Sequence, residues 1–270
     1  MRILFVLALL LMVPLSAPKA SAQSLEDVVQ VDLRPGWRLP DGTHIAALQI
    51  TLAPGWKTYW RSPGDAGIPP LFDWQTGAAT NLRDVHVHFP APDIFWQSGM
   101  RAVGYEDGVV FPLRVALRDS GRDAALRGAI EIGVCKDVCI PFTARVSMAL
   151  PAGKTQPDPQ IAAALASEPL RADDLGIGPA RCRVAPMDGG MRLWAELRMP
   201  QPGGAVETVI ETSDPRVWVA DPKTGWDNGK LVAETRLRHR SGGPFVVDRS
   251  GVRITILRPG EAVDVVGCTG

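Results

Sequence analysis

Hydrophobic and polar positions alternate in short runs along most of the chain. Val85-His86-Val87-His88-Phe89 is the clearest case, with an apolar residue at every second position, the period of a strand that buries one face. Such runs predict strands in the first half at His44–Leu52, Thr58–Trp60, Val85–Phe89, Val109–Leu117, Leu126–Val134 and Arg145–Leu150. Pro54-Gly55, Pro63-Gly64, Asp107-Gly108 and Ser120-Gly121 punctuate them, as turn dipeptides do. In the second half Arg181–Pro186 and Met191–Met199 flank Asp188-Gly189-Gly190, a hairpin signal. Further strands are predicted at Val206–Thr212, Val217–Ala220, Leu231–Arg238, Val252–Leu257 and Ala262–Val266. Helical periodicity is almost absent. Regularly spaced short strands of this kind predict an all-β protein built from β-sandwiches.

One segment breaks the pattern. Pro151-Ala152-Gly153-Lys154 and Gln156-Pro157-Asp158-Pro159 read as linker, and Gln160–Ser167 is alanine-rich. Asp158 and Pro159 suit the cap and first turn of one short helix there. We place the domain boundary in this stretch: a first sandwich over 23–150, a linker over 151–178 and a second sandwich over 179–270.

Met1 to Ala22 reads as a secretory signal: Arg2, an apolar core from Ile3 to Val13, and Ala20-Ser21-Ala22 at the cleavage site. The apolar core is shorter than the roughly 20 residues a membrane span requires, and no later stretch is long and apolar enough. The expected mature protein is therefore exported, without a direct membrane span. Loss of Arg2 and Lys19 takes the net charge from zero to about −2. No basic patch of the kind nucleic acid requires is present.

Export changes the meaning of the four cysteines, because disulfides persist in oxidising compartments. Cys135 and Cys139 sit four residues apart in Gly133-Val134-Cys135-Lys136-Asp137-Val138-Cys139-Ile140-Pro141. In an extended strand such residues lie roughly 13 Å apart, whereas bridged Cα atoms lie within about 7 Å. A bond between them requires a turn, which Lys136-Asp137 suits. The small ring removes little unfolded-state entropy, so the pair reads better as a redox-active dithiol than as a staple. The competing readings are a stabilising bridge or two unrelated thiols. Lys136 would favour a thiolate and Asp137 oppose it. Cys182 and Cys268 lie near the ends of the second half. Pairing them closes a long loop, where a structural disulfide contributes most; the competing reading leaves Cys268 free. A closed zinc site wants four Cys or His ligands, and no second close pair exists. No cofactor is expected.

Five of the eight tryptophans, Trp37, Trp56, Trp60, Trp74 and Trp96, fall in the first half, and most are expected in its core. Ile94-Phe95-Trp96, bounded by Pro90-Ala91-Pro92 and Gln97-Ser98-Gly99, reads as a loop with one aromatic free to cover the thiols. His86 and His88 share a strand face, expected to be solvated rather than metal-binding.

Three stretches carry a family resemblance: Trp56-Lys57-Thr58-Tyr59-Trp60-Arg61-Ser62-Pro63-Gly64-Asp65-Ala66-Gly67; Gly104-Tyr105 through Phe111-Pro112-Leu113; and Val134 to Pro141 around the cysteine pair. They resemble the periplasmic N-terminal region of DsbD and ScsB type membrane thiol:disulfide reductases, over most of Gln23 to Leu150. The second half, with Cys182, Asp248-Arg249-Ser250 and Gly267-Cys268, is similar to the accompanying region of ScsB-like members. The resemblance implies immunoglobulin-like sandwiches and a cysteine pair that shuttles electrons, Cys135 and Cys139 here, with Cys139 as the attacking residue. It implies a covering aromatic, Phe95 or its neighbour Trp96. It also implies a membrane-embedded electron donor and periplasmic thioredoxin-like proteins as partners. Two features depart from the pattern. The cysteines are more closely spaced than in DsbD proper, and this chain carries neither the transmembrane nor the thioredoxin-like domain, so the donor is expected to be a separate protein.

The expected function is relay of reducing equivalents through Cys135 and Cys139, a protein-disulfide reductase type of activity. The alternative is a non-catalytic exported β-sandwich binding module with structural disulfides. It would take carbohydrate on tryptophan platforms, or Cu(I) at the thiol pair with His86 or His88.

Overall fold

The computed structural model describes residues 25–270 apart from 66, 98, 202 and 259. The expected leader lies outside the described residues. A short helix α1 (Leu25–Val28) precedes ten strands of the first half: β1 (Val29–Arg38), β2 (His44–Leu52), β3 (Lys57–Tyr59), β4 (Leu71–Trp74), β5 (Leu82–Val87), β6 (Asp93–Gln97), β7 (Met100–Glu106), β8 (Gly108–Leu117), β9 (Ala124–Cys135) and β10 (Cys139–Leu150). They form a four-stranded sheet in the order β1-β2-β8-β5 and a six-stranded one in the order β10-β9-β3-β7-β6, with β4 paired to β9. Leu48, Ile50, Trp60, Leu82, Phe111, Leu113, Leu126, Ile130 and Ile132 fill one core drawn from both sheets. This is the layered arrangement that alternating strands require to bury one face each.

Helix α2 (Pro159–Ala166) follows. Asp158 caps it by accepting from the amides of Gln160 and Ile161, with proline in the first turn, the arrangement that satisfies otherwise orphaned N–H groups. Ile161 packs on Trp37, Ile45 and Ala47, and Arg34 pairs with Asp158 at 2.8 Å. The segment expected as linker is thus fastened to the first half. Burial opposes ionisation of Asp158, but the hydrogen bonds from Arg34, Gln160 and Ile161 outweigh it and hold the carboxyl below its ordinary range.

The second half contains β11 (Leu170–Arg171), β12 (Ala180–Met187), β13 (Gly190–Arg198), β14 (Glu207–Glu211), β15 (Val217–Val219), β16 (Lys223–Asp227), β17 (Lys230–His239), β18 (Arg253–Arg258), β19 (Glu261–Val266) and β20 (Cys268–Thr269). Again there is a four-stranded sheet, β11-β19-β18-β14, and a six-stranded one, β15-β17-β13-β12-β20, with β16 paired to β17. Leu193, Leu231, Leu237, Ile254, Ile256 and Val265 form its core. The protein is therefore sheet-rich, with two sheet-dominated regions and few helices, a sandwich-like architecture.

The halves meet closely. Val209, Leu257 and Ala262 of the second half join the core of the first. Two arginines of the first half reach across. Arg61 places Nε 3.1 Å from both carboxylate oxygens of Glu211 and lies over the Trp60 ring. Arg101, buried, donates to Asp221 Oδ1 at 3.2 Å and to the Thr208 carbonyl at 3.1 Å. Burial raises the Asp221 carboxyl above its ordinary value despite Arg101. A cavity of about 570 Å³ lies at this seam, lined by Arg61, Asp65, Arg101, Trp218, Asp221 and Arg240 among others. No cysteine lines it.

Three differences from the sequence expectations matter for the site. Ile94-Phe95-Trp96 is not a loop but the middle of edge strand β6, hairpinned to β7 through Gly99, whose φ is +79°. Strand β10 begins at Cys139 rather than at Arg145. Strand β1 crosses Pro35-Gly36 by a bulge between Arg34 and Trp37, a device that absorbs an extra residue without ending the pairing.

Candidate functional site

Strands β9 and β10 form a hairpin with Lys136, Asp137 and Val138 as its tip, and its last pair is Cys135 opposite Cys139. The two sulfurs are bonded, with Cα atoms 4.1 Å apart. The turn required by the spacing is therefore this three-residue tip. Val134 faces the core of the first half. Alternation puts Cys135 on the opposite, outer face of the six-stranded sheet, where it clusters with Tyr59, Ala102, Phe95 and Cys139.

Tyr59 is central to this cluster. Its neighbours Thr58 and Trp60 are buried, and Trp60 lies in the main core, so the Tyr59 ring is carried to the outer face. Two glycines clear the space: a Cβ on Gly133 would lie 3.1 Å from the ring, and one on Gly67 would lie 2.7 Å from it. The Tyr59 hydroxyl lies 2.9 Å from Cys135 Sγ, 3.2 Å from Cys139 Sγ and 2.9 Å from Gln97 Oε1. Burial raises its pKa, which keeps the hydroxyl a donor at neutral pH. Gln97 completes the ring of contacts, its Nε2 lying 3.4 Å from Cys139 Sγ and 3.4 Å from the Lys136 carbonyl oxygen.

Phe95 and Gln97 sit two apart on β6 and so share a face. Phe95 packs 6.3 Å from Tyr59, centroid to centroid, with Lys57 Nζ 5.4 Å from its ring. Hairpin β6–β7 thus lies over the sulfur pair. Trp96, the other candidate cover, is 69% exposed and stands outside the cluster. Cys135 is fully buried and Cys139 half-buried. In this covered state the placement fits a structural bridge better than a surface-exposed catalytic pair.

Cys182 on β12 is bonded to Cys268 on β20, with Cα atoms 5.6 Å apart. The bond ties the C-terminal strand to β12, with which it also pairs in parallel. His86 is exposed, and His88 Nδ1 lies 3.0 Å from Glu168 Oε2. Burial, then His88 alongside, lowers the His86 pKa. Among the described residues no group of three or more His, Cys, Asp or Glu is arranged to hold a metal, and no helix is long and apolar enough to cross a membrane. Of the five first-half tryptophans Trp96 is exposed, Trp56 and Trp74 are half-buried, and Trp37 and Trp60 are buried.

Tyr59 and Gln97 were not singled out by sequence. Tyr59 reads there only as the middle of the predicted strand Thr58–Trp60 and Gln97 as the edge of a loop. The available signal was Tyr59 beside Trp60 in a strand, since adjacent strand residues face opposite ways.

A β-sheet protein that carries a covered cysteine pair on a hairpin tip is the class defined by this fold and site. Residues 20–159 match the family model described as thiol:disulfide interchange protein DsbD, N-terminal, and the chain belongs to that family. The N-terminal periplasmic domain of ScsB from Proteus mirabilis has a similar crystal structure. Its TM-score is 0.66 at 22% identity, covering 92% of this chain and 97% of that one. This likeness extends the shared fold to the second half. No curated protein matches the chain.

Proposed function

We propose that the chain is an exported thiol:disulfide exchange protein of the periplasm, with Cys135–Cys139 as its reacting bond. Membership of the DsbD N-terminal family, over the residues that contain the pair, is the observation that carries this reading. The half-buried Cys139 at the start of β10 supports it, because one sulfur borders solvent while the other is enclosed.

In the reducing direction a Cys139 thiolate attacks one sulfur of a partner disulfide. That bond breaks, a mixed disulfide forms, and the other partner sulfur leaves as a thiolate. The Cys135 thiolate then attacks Cys139 Sγ, which restores the internal bond and releases the second partner sulfur. Two electrons pass to the partner, and its two thiolates take their protons from solvent. A dithiol donor recharges the pair by the same steps in reverse. Acceptors are thioredoxin-like periplasmic proteins, and the donor is membrane-embedded. The two halves act as immunoglobulin-like sandwich domains, with their boundary in 151–178.

Because Cys135 is enclosed, exchange requires hairpin β6–β7 to lift from the pair. The same burial favours a second reading, a non-catalytic exported binding module in which both disulfides are structural. Mixed-disulfide trapping separates the two. Exchange predicts that Cys135→Ala, offered an oxidised thioredoxin-fold protein, accumulates a covalent adduct through Cys139. Absence of an adduct with both Cys135→Ala and Cys139→Ala, each shown to be folded, moves the second reading to first place.

A further inference from the structure

The contacts around Cys139 assign a task to Gln97. Its carboxamide has two N–H donors and one acceptor oxygen. Nε2 faces Cys139 Sγ and the Lys136 carbonyl, and Oε1 faces the Tyr59 hydroxyl. Exchanging nitrogen and oxygen would set Oε1 against another carbonyl oxygen, so the hydrogen-bond network fixes the orientation. One side chain on the covering strand therefore touches the half-buried sulfur, the tip of the cysteine hairpin and the tyrosine between the two sulfurs.

The Tyr59 hydroxyl has a single proton, and Gln97 Oε1 and both sulfurs lie within 3.2 Å of it. While the sulfurs are bonded, the amide oxygen is the strongest of these acceptors. Once the bond is reduced, a thiolate becomes the stronger one, because hydrogen bonds to charged groups exceed neutral ones. Tyr59 can then turn its proton to sulfur, and the Gln97 N–H already points at Cys139. No cationic side chain shares a hydrogen bond with either sulfur among the described residues.

We propose that Gln97 is a positioning residue of the exchange reaction: it stabilises the Cys139 thiolate by direct donation and fastens the cover to the cysteine hairpin. This rests on the exchange reading of the pair. It assigns Phe95 to shielding and Gln97 to reactivity, two tasks on one face of one strand.

The test is alkylation of Cys139 against pH in the reduced protein, followed by mass mapping with Cys182–Cys268 kept bonded. The pH midpoint reports how well the thiolate is stabilised, and the plateau rate at high pH reports how well it is covered. Gln97→Leu should move the midpoint upward, with a roughly ten- to hundredfold loss of thiolate at pH 7 from the worth of a charged hydrogen bond. It should also raise the plateau. Gln97→Glu places a carboxylate where a donor stood and should move the midpoint further. Near-UV circular dichroism checks folding for both, and two different replacements guard against one failing to fold. Unchanged midpoints in both variants, with only the plateau altered, would overturn the inference and leave Gln97 a packing residue. Shifted midpoints in a protein that forms no mixed disulfide would sink the exchange reading and with it a role for Gln97 in exchange, leaving only its contact with the Cys139 thiolate.

Discussion

The two disulfides differ in ring size by a factor that energetics can read. Cys182 and Cys268 are separated by 86 positions and Cys135 and Cys139 by 4. In the loop-entropy relation the large ring contributes about 4.6 kcal/mol at 25 °C and the small one about 1.9 kcal/mol. We predict that Cys182→Ala/Cys268→Ala loses about 4–5 kcal/mol, since both residues lie in the second half and the bond also holds β20 to β12. The pair Cys135→Ala/Cys139→Ala should lose about 2 kcal/mol at most. Urea unfolding monitored by tryptophan fluorescence, with the other bond intact in each variant, gives both values. Circular dichroism on the same samples tests whether the halves unfold together. If removing the small ring costs as much as removing the large one, Cys135–Cys139 is a staple, and the argument that separates a functional bond from a structural one fails.

Two further outcomes follow from the seam and the core. Arg101→Met removes the donor that reaches Asp221 and the Thr208 carbonyl; with Asp221 still one-third exposed, losing these charged hydrogen bonds should cost about 1–3 kcal/mol. Denaturation of Arg101→Met beside Arg101→Met/Asp221→Leu checks this, because the double variant should recover part of the loss. The second outcome concerns pH. His44 is buried between the Pro35 carbonyl, 2.6 Å from Nε2, and Arg38 Nε, 3.1 Å from Nδ1, and burial lowers its pKa below 6.5. The unfolded chain therefore takes up this proton first, so stability should fall as pH drops below about 6.5, by at most about 1.4 kcal/mol per pH unit. His44→Gln should flatten that slope between pH 5 and 7, and an unchanged slope would contradict the assignment.

Apolar strands bounded by turn residues are legible from sequence. His44–Leu52 is β2 to the residue. The cysteine bond was legible as a turn, because four residues of extended chain cannot bring two sulfurs together. The cover was legible only in part. Pro90-Ala91-Pro92 and Gly99 bound a segment that looks like a loop, and its pairing with β7 depends on a partner that no local pattern announces. Once β6 pairs, its alternation sends Phe95 and Gln97 to the cysteines and Trp96 to solvent. Strand β1 was hidden by Pro35-Gly36, which interrupts the pattern although the pairing resumes beyond the bulge. A Cβ on Gly36 would lie 1.8 Å from the Ile45 carbonyl oxygen, so only glycine permits that close approach. The Tyr59 site depends on Gly67 and Gly133 from two distant segments, a relation set by the sheet and not by spacing.

The central claim is that one bond of this protein is made to be broken. The most direct measurement is the reduction potential of each disulfide, by thiol trapping and mass mapping in glutathione and dithiothreitol buffers. Exchange predicts that Cys135–Cys139 titrates between about −180 and −270 mV, the range of exchange proteins, while Cys182–Cys268 stays oxidised. If both bonds resist reduction below about −300 mV, where structural disulfides lie, the pair is a buried bridge and the binding-module reading takes its place.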